Sequence, residues 1–87
     1  MPGKILIVDD EVHIRMLLEL TLEELEEDFS IEILSAQNGE EGLALIKSQQ
    51  PDVVFLDIMM PKLNGYEVCQ RVKDDPSITD IGIVLLT

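Results

Sequence analysis

The stretch "DVVFLDIMMPKLNG", from Asp52 to Gly65, decides the fold of this chain. It begins with a continuous apolar run, Val53 to Leu56, of the kind that forms a strand buried on both faces of a sheet. The run delivers a carboxylate, Asp57, at its far end, and the next residues are expected to pack their methionines around a turn. Asn64 then supplies a cap for a helix. The stretch therefore predicts a buried strand that ends in a charge and turns at once into a helix.

Apolar runs and helical patterns alternate along the rest of the chain. Lys4 to Val8 and Ile81 to Thr87 are further continuous runs that predict buried strands. Ser30 to Ser35, "SIEILS", alternates apolar and polar residues and indicates a half-buried edge strand. Pro51 is expected to stop the second of the three predicted helices. The apolar positions of these helices are Ile14, Leu17, Leu18, Leu22 and Leu25 in the first, Leu43 and Ile46 in the second, and Tyr66, Val68, Cys69 and Val72 in the third.

The resulting order, β-α-β-α-β-α-β, predicts one α/β domain over residues 1–87. Such alternation builds a parallel sheet with helices on both faces, joined by right-handed crossovers. The half-polar strand belongs at an edge, so we expect a doubly wound, flavodoxin-like sheet with strand order 2-1-3-4. The direction of winding reverses between strands one and three, and ligands bind at the carboxyl ends of the strands at such a switch point.

Composition narrows the classes of function. The 87 residues include 18 acidic and 6 basic ones, for a net charge of −12. That balance argues against nucleic-acid contact by this segment, because phosphate binding needs clustered Lys and Arg. No apolar run approaches the roughly 20 residues of a membrane span. A single cysteine excludes an internal disulfide and favours a reducing compartment, so we predict a cytoplasmic location.

Acidic residues follow two strands that the predicted topology makes neighbours. Asp9, Asp10 and Glu11 follow strand one, and Asp57 ends strand three. Parallel strands lie about 4.8 Å apart, so these acids should share one crevice. Either group alone is more typical of a helix cap or a turn. Together they predict a site for a hard divalent cation, since Mg²⁺ takes oxygen ligands. Thr87, at the end of strand four, would place its hydroxyl in the same crevice.

The segments "ILIVDDE", "VVFLDIMMPKLNGYE" and "IVLLT" resemble the phosphoacceptor receiver domain of two-component response regulators. The resemblance implies that Asp57 accepts a phosphoryl group from a sensor histidine kinase or a phosphotransfer protein. It implies that Asp10, with Asp9 beside it, holds Mg²⁺ together with Asp57 and the backbone carbonyl of Met59. Thr87 would turn its hydroxyl onto the phosphoryl group and link it to the switch.

The chain also departs from the family pattern, because a complete receiver continues past Thr87 with a fourth helix, a fifth strand and a fifth helix. The lysine and the aromatic switch residue of that fifth strand have no counterpart here. We therefore expect a receiver that is incomplete at its C-terminus. The open edge of strand four, apolar and uncharged, is then expected to allow self-association.

Three other readings compete with a phosphorylated receiver. An aspartyl-phosphate hydrolase would carry a second acid at the position of Met59. A nucleotide-binding Rossmann domain would need a glycine-rich turn where this chain has "VDDEVH". A receiver-like interaction module that is never phosphorylated stays open as the alternative. The favoured interpretation is a non-enzymatic signalling domain.

Overall fold

The computed structural model describes residues 3–26, 31–60 and 63–86, with the side chains of 25 and 26 left out. The strands and helices alternate as predicted. They are β1 (Gly3–Val8), α1 (Val12–Glu26), β2 (Ile31–Ala36), α2 (Gly39–Gln49), β3 (Val53–Asp57), α3 (Gly65–Asp74) and β4 (Gly82–Leu86). Within the described ranges, every helix is too short or too polar to cross a membrane.

The four strands form one parallel sheet in the order β2-β1-β3-β4, which confirms the predicted topology. Val8, the last residue of β1, lies opposite Ala36 of β2 and Leu56 of β3. Asp57 lies opposite Leu86 of β4. The carboxyl ends of all four strands therefore meet at one edge, where residues that follow the strands can share a site.

Helices cover the two faces of the sheet. α2 and α3 pack together on one face, over a core that includes Leu6 and Val8 of β1 and Val54 and Leu56 of β3. Side chains alternate along a strand, so Ile7 points to the opposite face. α1 packs against β1 and β2 there, and Ile7 is fully buried. The sheet is thus doubly wound, with α2 and α3 on one side and α1 on the other.

Side-chain caps define where α2 and α3 begin. The Asn38 side chain accepts a hydrogen bond from the Glu41 N–H at 2.8 Å, and the Asn64 side chain accepts one from the Glu67 N–H at 3.0 Å. The Glu67 carboxylate in turn accepts from the Asn64 N–H at 3.3 Å, which completes a capping box. α2 ends at Gln49, and its C-cap residue, Gln50, immediately precedes Pro51. The predicted cap at Asn64 and the predicted stop at Pro51 are both confirmed.

The prediction that β3 and β4 are buried on both faces is wrong. Val54 and Leu56 are fully buried, but Phe55 is only half-buried. In β4, Val84 is 44% exposed and Leu85 is 36% exposed. Phe55 and Val84 lie on the face where α1 covers β1 and β2 rather than β3 and β4. Leu85 lies on the other face, and it is exposed there because β4 is at the edge of the sheet. Continuous apolar runs therefore do not distinguish a strand covered on two faces from one covered on a single face.

The predicted apolar face of the first helix is also wrong in part. Leu22 is buried and Leu18 is half-buried, but Ile14 and Leu17 are exposed, the latter by 62%. The side chain of Leu25 lies outside the described residues. α1 turns a narrow stripe toward β1 and β2, and that stripe includes half-buried Arg15. Spacings of three and four residues thus identified a helix without identifying which of its sides faces the sheet.

Candidate functional site

Asp9 immediately follows β1 and is the buried acidic residue of the site, with 4% of its surface exposed. Its backbone N–H donates to the carbonyl oxygen of Ala36 at 3.1 Å, which extends the pairing of β1 with β2 by one residue. Its carboxylate Oδ1 accepts a hydrogen bond from the Glu11 N–H at 2.8 Å. The loop between β1 and α1 is therefore fixed at both the main chain and the side chain of Asp9.

Asp10 follows Asp9 and is exposed at the carboxyl edge of the sheet. The peptide group that joins the two aspartates is held from α1, because the guanidinium group of Arg15 donates to the carbonyl oxygen of Asp9. Asp10 thus presents its carboxylate from a short loop that is anchored to both β2 and α1.

Asp57 is the last residue of β3 and is half-buried. The chain stays attached to β4 just beyond it, since the Ile58 N–H donates to the carbonyl oxygen of Leu86 at 3.2 Å. The carboxylate Oδ1 of Asp57 accepts a hydrogen bond from the Met59 N–H at 3.2 Å. Strand pairing therefore sets the position of Asp57, and the following turn restricts the rotation of its carboxylate.

The loop after β3 passes close to the backbone of Asp57. The carbonyl oxygen of Ile58 accepts hydrogen bonds from the Met60 N–H at 3.2 Å and from the Gly65 N–H at 3.1 Å. A Cβ atom built on Gly65 would lie 2.4 Å from the carbonyl oxygen of Asp57, far inside van der Waals contact. No described glycine has a positive φ. Gly65 is therefore needed for space, so that α3 can begin against the strand end that carries Asp57.

The structure brings the three predicted aspartates together. Asp9, Asp10 and Asp57 each offer a carboxylate oxygen, and these oxygens lie within 4.8 Å of one another. Burial raises the pKa of Asp9 above its ordinary value, and the negative charges of Asp57 and Asp10 raise it further, against the lowering effect of the Glu11 N–H. A cation between the three carboxylates would remove that repulsion. The donor set, three carboxylates of graded exposure, fits a hard divalent cation that keeps some of its water.

Two other predicted site residues, Met59 and Thr87, are tested only in part or not at all by the structure. Met59 donates its N–H to Asp57, while the role of its carbonyl as a metal ligand stays a prediction. Thr87 lies outside the described residues. Its neighbour Leu86 pairs with Asp57, so the chain leaves β4 at the strand end beside that carboxylate.

The side chain of Met59 corrects one prediction and reveals a surface that the sequence pattern did not indicate. The methionines were expected to pack around the turn, and Met60 is buried, but Met59 is 79% exposed. Together with Ile58, Asn64 and exposed Tyr66 they line an open cavity of about 410 Å³, formed by the loop that directly follows Asp57. A tyrosine two residues after an Asn cap sits at the start of its helix, and that signal could have placed Tyr66 at this rim.

Comparisons with known proteins agree with this geometry. The sequence model of the family described as "Response regulator receiver domain" matches residues 5–87. The "Probable transcriptional regulator ycf27" of Guillardia theta is 48% identical over 84 residues, which cover 97% of this chain and 30% of that protein. "Response regulator PleD" of Caulobacter vibrioides is 39% identical over 89 residues, covering 100% of this chain and 18% of that protein.

Solved structures show the same fold. The crystal structure of the signal receiver domain of a signal transduction histidine kinase from Syntrophus aciditrophicus superimposes with a TM-score of 0.88. It is 32% identical in sequence, and the match covers 98% of this chain and 61% of that one. The matched family model, the sheet order and the acidic crevice at its carboxyl edge lead to one conclusion: this chain belongs to the response regulator receiver domain family.

Proposed function

We propose that Asp57 accepts a phosphoryl group in a Mg²⁺-dependent reaction and that this modification switches a downstream output. The observation that carries the proposal is the meeting of three carboxylate oxygens within 4.8 Å at the carboxyl edge of the sheet. A strand end places Asp57 there rigidly, and the switch point of an open α/β sheet is where such proteins bind ligands.

The chemistry assigns one role to each group. A carboxylate oxygen of Asp57 attacks the phosphorus of the donor, and the bond from phosphorus to the donor's leaving group breaks, leaving an acyl phosphate on Asp57. Asp9, Asp10 and Asp57, with the carbonyl of Met59, would hold Mg²⁺, which when bound neutralises charge on the carboxylates and on the phosphoryl oxygens. The Met59 N–H orients the Asp57 carboxylate for the attack. These steps rely on positioning and on charge, as phosphoryl transfer generally does.

Thr87 completes the proposed site, with its hydroxyl as a contact to the phosphoryl group and as the link to the switch. The support for this role is its place in the chain, directly after Leu86, which pairs with Asp57. Phosphorylation would then alter the end of β4 beside Asp57.

The partner classes follow from the family and from charge. We infer that a sensor histidine kinase or a phosphotransfer protein supplies the phosphoryl group. The net charge of −12 opposes direct nucleic-acid contact by this segment, and the open edge of β4 favours self-association. The chain spans 30% of the Guillardia protein and 18% of PleD, so the output that it controls lies with the rest of such proteins. A non-enzymatic role and a cytoplasmic location are parts of the same proposal.

The test is covalent labelling. The chain is incubated with Mg²⁺ and a small-molecule acyl phosphate, and its intact mass is measured. The parent chain should gain one phosphoryl group, Asp57→Asn should gain none, and Asp80→Asn, a change at an exposed aspartate away from the site, should label like the parent. An unlabelled parent would favour the unphosphorylated interaction module, and a labelled Asp57→Asn would move the acceptor to another residue.

A further inference from the structure

Arg15 occupies a position that the helix around it does not explain. It lies near the N-terminal end of α1, where the helix dipole disfavours a positive charge. Its side chain is half-buried. Its guanidinium group donates to the carbonyl oxygen of Asp9, six residues earlier. A positive charge near the start of a helix is electrostatically unfavourable, so we infer that the hydrogen bond from Arg15 to the Asp9 carbonyl has a role beyond stabilising α1.

The bonded carbonyl belongs to the peptide group between Asp9 and Asp10. On the other side of Asp10, the Glu11 N–H is held by Asp9 Oδ1 at 2.8 Å. The Asp9 N–H is held by the carbonyl oxygen of Ala36 at 3.1 Å. Both peptide groups that flank Asp10 are therefore anchored, and only one of the anchors comes from α1.

The hydrogen bond from Arg15 matters because the carboxylates of the site repel one another. Three carboxylates within 4.8 Å repel one another, and Asp10 is the exposed member of the group. Asp9 is buried and Asp57 is carried by a central strand, so Asp10 is the residue that this repulsion would turn toward solvent if the loop were not held. A rotation of the peptide between Asp9 and Asp10 would accomplish that movement. The bond from Arg15 opposes this rotation.

We propose that Arg15 is the positioning residue of the acid cluster: by holding the peptide group between Asp9 and Asp10, it keeps the Asp10 carboxylate pointed toward Asp57. The metal-binding consequence rests on the proposed function, whereas the effect on the loop does not. When a group that orients a metal ligand through a hydrogen bond is removed, metal affinity typically falls by about 10- to 100-fold. Arg15 acts on Asp10 through its backbone in the same way.

The experiment compares Arg15→Gln and Arg15→Lys with the parent chain. Arg71→Gln is the matched control, because Arg71 is an exposed arginine on α3. Amide hydrogen exchange without metal reports on the Glu11 N–H, and the Gly42 N–H, which bonds to the Asn38 carbonyl at 2.9 Å, serves as reference. A Mg²⁺ titration followed by NMR gives the Kd. Arg15→Gln should accelerate Glu11 exchange relative to Gly42 and raise the Kd for Mg²⁺ about tenfold. Arg15→Lys, which keeps a cationic donor, should recover most of the loss, and Arg71→Gln should match the parent.

The outcomes separate positioning from general stability. If Arg15→Gln accelerates exchange at Glu11 and Gly42 equally and leaves the Kd unchanged, Arg15 only stabilises the fold and the proposal is overturned. Unchanged exchange at Glu11 overturns it as well. If the parent chain does not bind Mg²⁺, the metal site of the proposed function fails. In that case selective acceleration at Glu11 still supports Arg15 as the residue that positions the loop.

Discussion

The two faces of the sheet are packed to different degrees. On the face under α2 and α3, Val54 and Leu56 have no exposed surface. On the opposite face, where α1 packs against β1 and β2, Phe55 of β3 is half-buried and Val84 of β4 is 44% exposed. We call these the closed face and the open face.

The difference shows which part of the molecule positions the site. On the closed face, the first residues of α2 and α3 lie in close contact with the backbone of Asp57 and of the loop that follows it. A Cβ atom on Gly39, the first residue of α2, would lie 2.0 Å from the carbonyl oxygen of Leu63, and one on Gly65 would lie 2.4 Å from that of Asp57. On the open face, α1 contacts the site through the hydrogen bond from the Arg15 guanidinium group to the carbonyl oxygen of Asp9. Packing on the closed face thus supports the segment after Asp57, while Asp9 and Asp10 are held by pairing with β2, by the turn at Glu11 and by Arg15 of α1.

The largest expected effect is that of filling the space at Gly65. Gly65→Ala should lower the free energy of unfolding by about 3 kcal/mol, because the added methyl group meets backbone atoms that cannot move independently. Gly82→Ala is the control, since its Cβ would lie 3.5 Å from the nearest atom. Urea unfolding measures both variants. Equal stabilities for the two would show that the closed face is not packed as tightly against the site as the structure indicates.

The next effect concerns the acid cluster. A hundredfold excess of Mg²⁺ over its Kd should stabilise the parent chain by about 2.7 kcal/mol. Asp10→Asn should raise stability without metal, because it removes one of three repelling charges, and should lose most of the response to Mg²⁺. Thermal unfolding with and without Mg²⁺ measures it, with Asp74→Asn as control at an exposed residue of α3. An undiminished response in Asp10→Asn would exclude Asp10 as a ligand.

A matched pair of valines tests the two faces directly. Val54→Ala should cost about 2 kcal/mol, from the lost burial of two methyl-sized groups and the cavity that they leave. Val84→Ala should cost about 0.5 kcal/mol or less, because that side chain keeps much of its surface in water. Denaturant midpoints of the two variants give the ratio. Similar losses would mean that the open face is covered in solution and that the two faces do not differ in packing.

The edge of the sheet supplies a smaller, concentration-dependent effect. Among the strands that the structure describes, β4 pairs only with β3. Its exposed Leu85 and Val84 carry no charge to discourage pairing with a second chain. We expect the chain to self-associate through this edge and Leu85→Lys or Ile83→Lys to weaken the association. Ala44→Lys, the same change of charge at an exposed position of α2, should not. Sedimentation decides it: a monomer throughout the micromolar range contradicts the prediction.

The smallest expected effect is on the pKa of Asp75, which lies in the turn between α3 and β4. The Ser77 hydroxyl and the Ser77 N–H donate to the Asp75 carboxylate and lower the pKa of Asp75 below its ordinary 3.8. A lowered pKa in the folded state gives stability that is present above the ordinary value and is lost as the pH falls through the lowered one. Ser77→Ala should raise the pKa of Asp75 part of the way back, because the N–H remains. An NMR titration of the Asp75 carboxyl that is unaltered by the substitution would contradict this assignment.

Much of the molecule could be predicted from local patterns. The order of elements, the strand order, the cap at Asn64 and the approach of Asp57 to Asp9 and Asp10 all followed from periodicity, cap residues and the rules for parallel sheets. These features depend on residues close in sequence or on connections that physics restricts to one hand. The exposures of Leu17, Val84 and Met59 did not follow, because burial depends on which other elements lie over a surface.

The sequence by itself therefore determined a parallel α/β sheet and the set of acids at its carboxyl edge, since strand and helix propensities and the alternation of side chains are properties of short segments. Only the tertiary structure decided that one face is closed and the other open, that Gly65 is a matter of space against the Asp57 carbonyl, and that Arg15 reaches the peptide between Asp9 and Asp10. Those features arise where segments distant in sequence, or a long side chain and a loop, come within contact distance. Such contacts are specified by packing in three dimensions and leave no periodic trace along the chain.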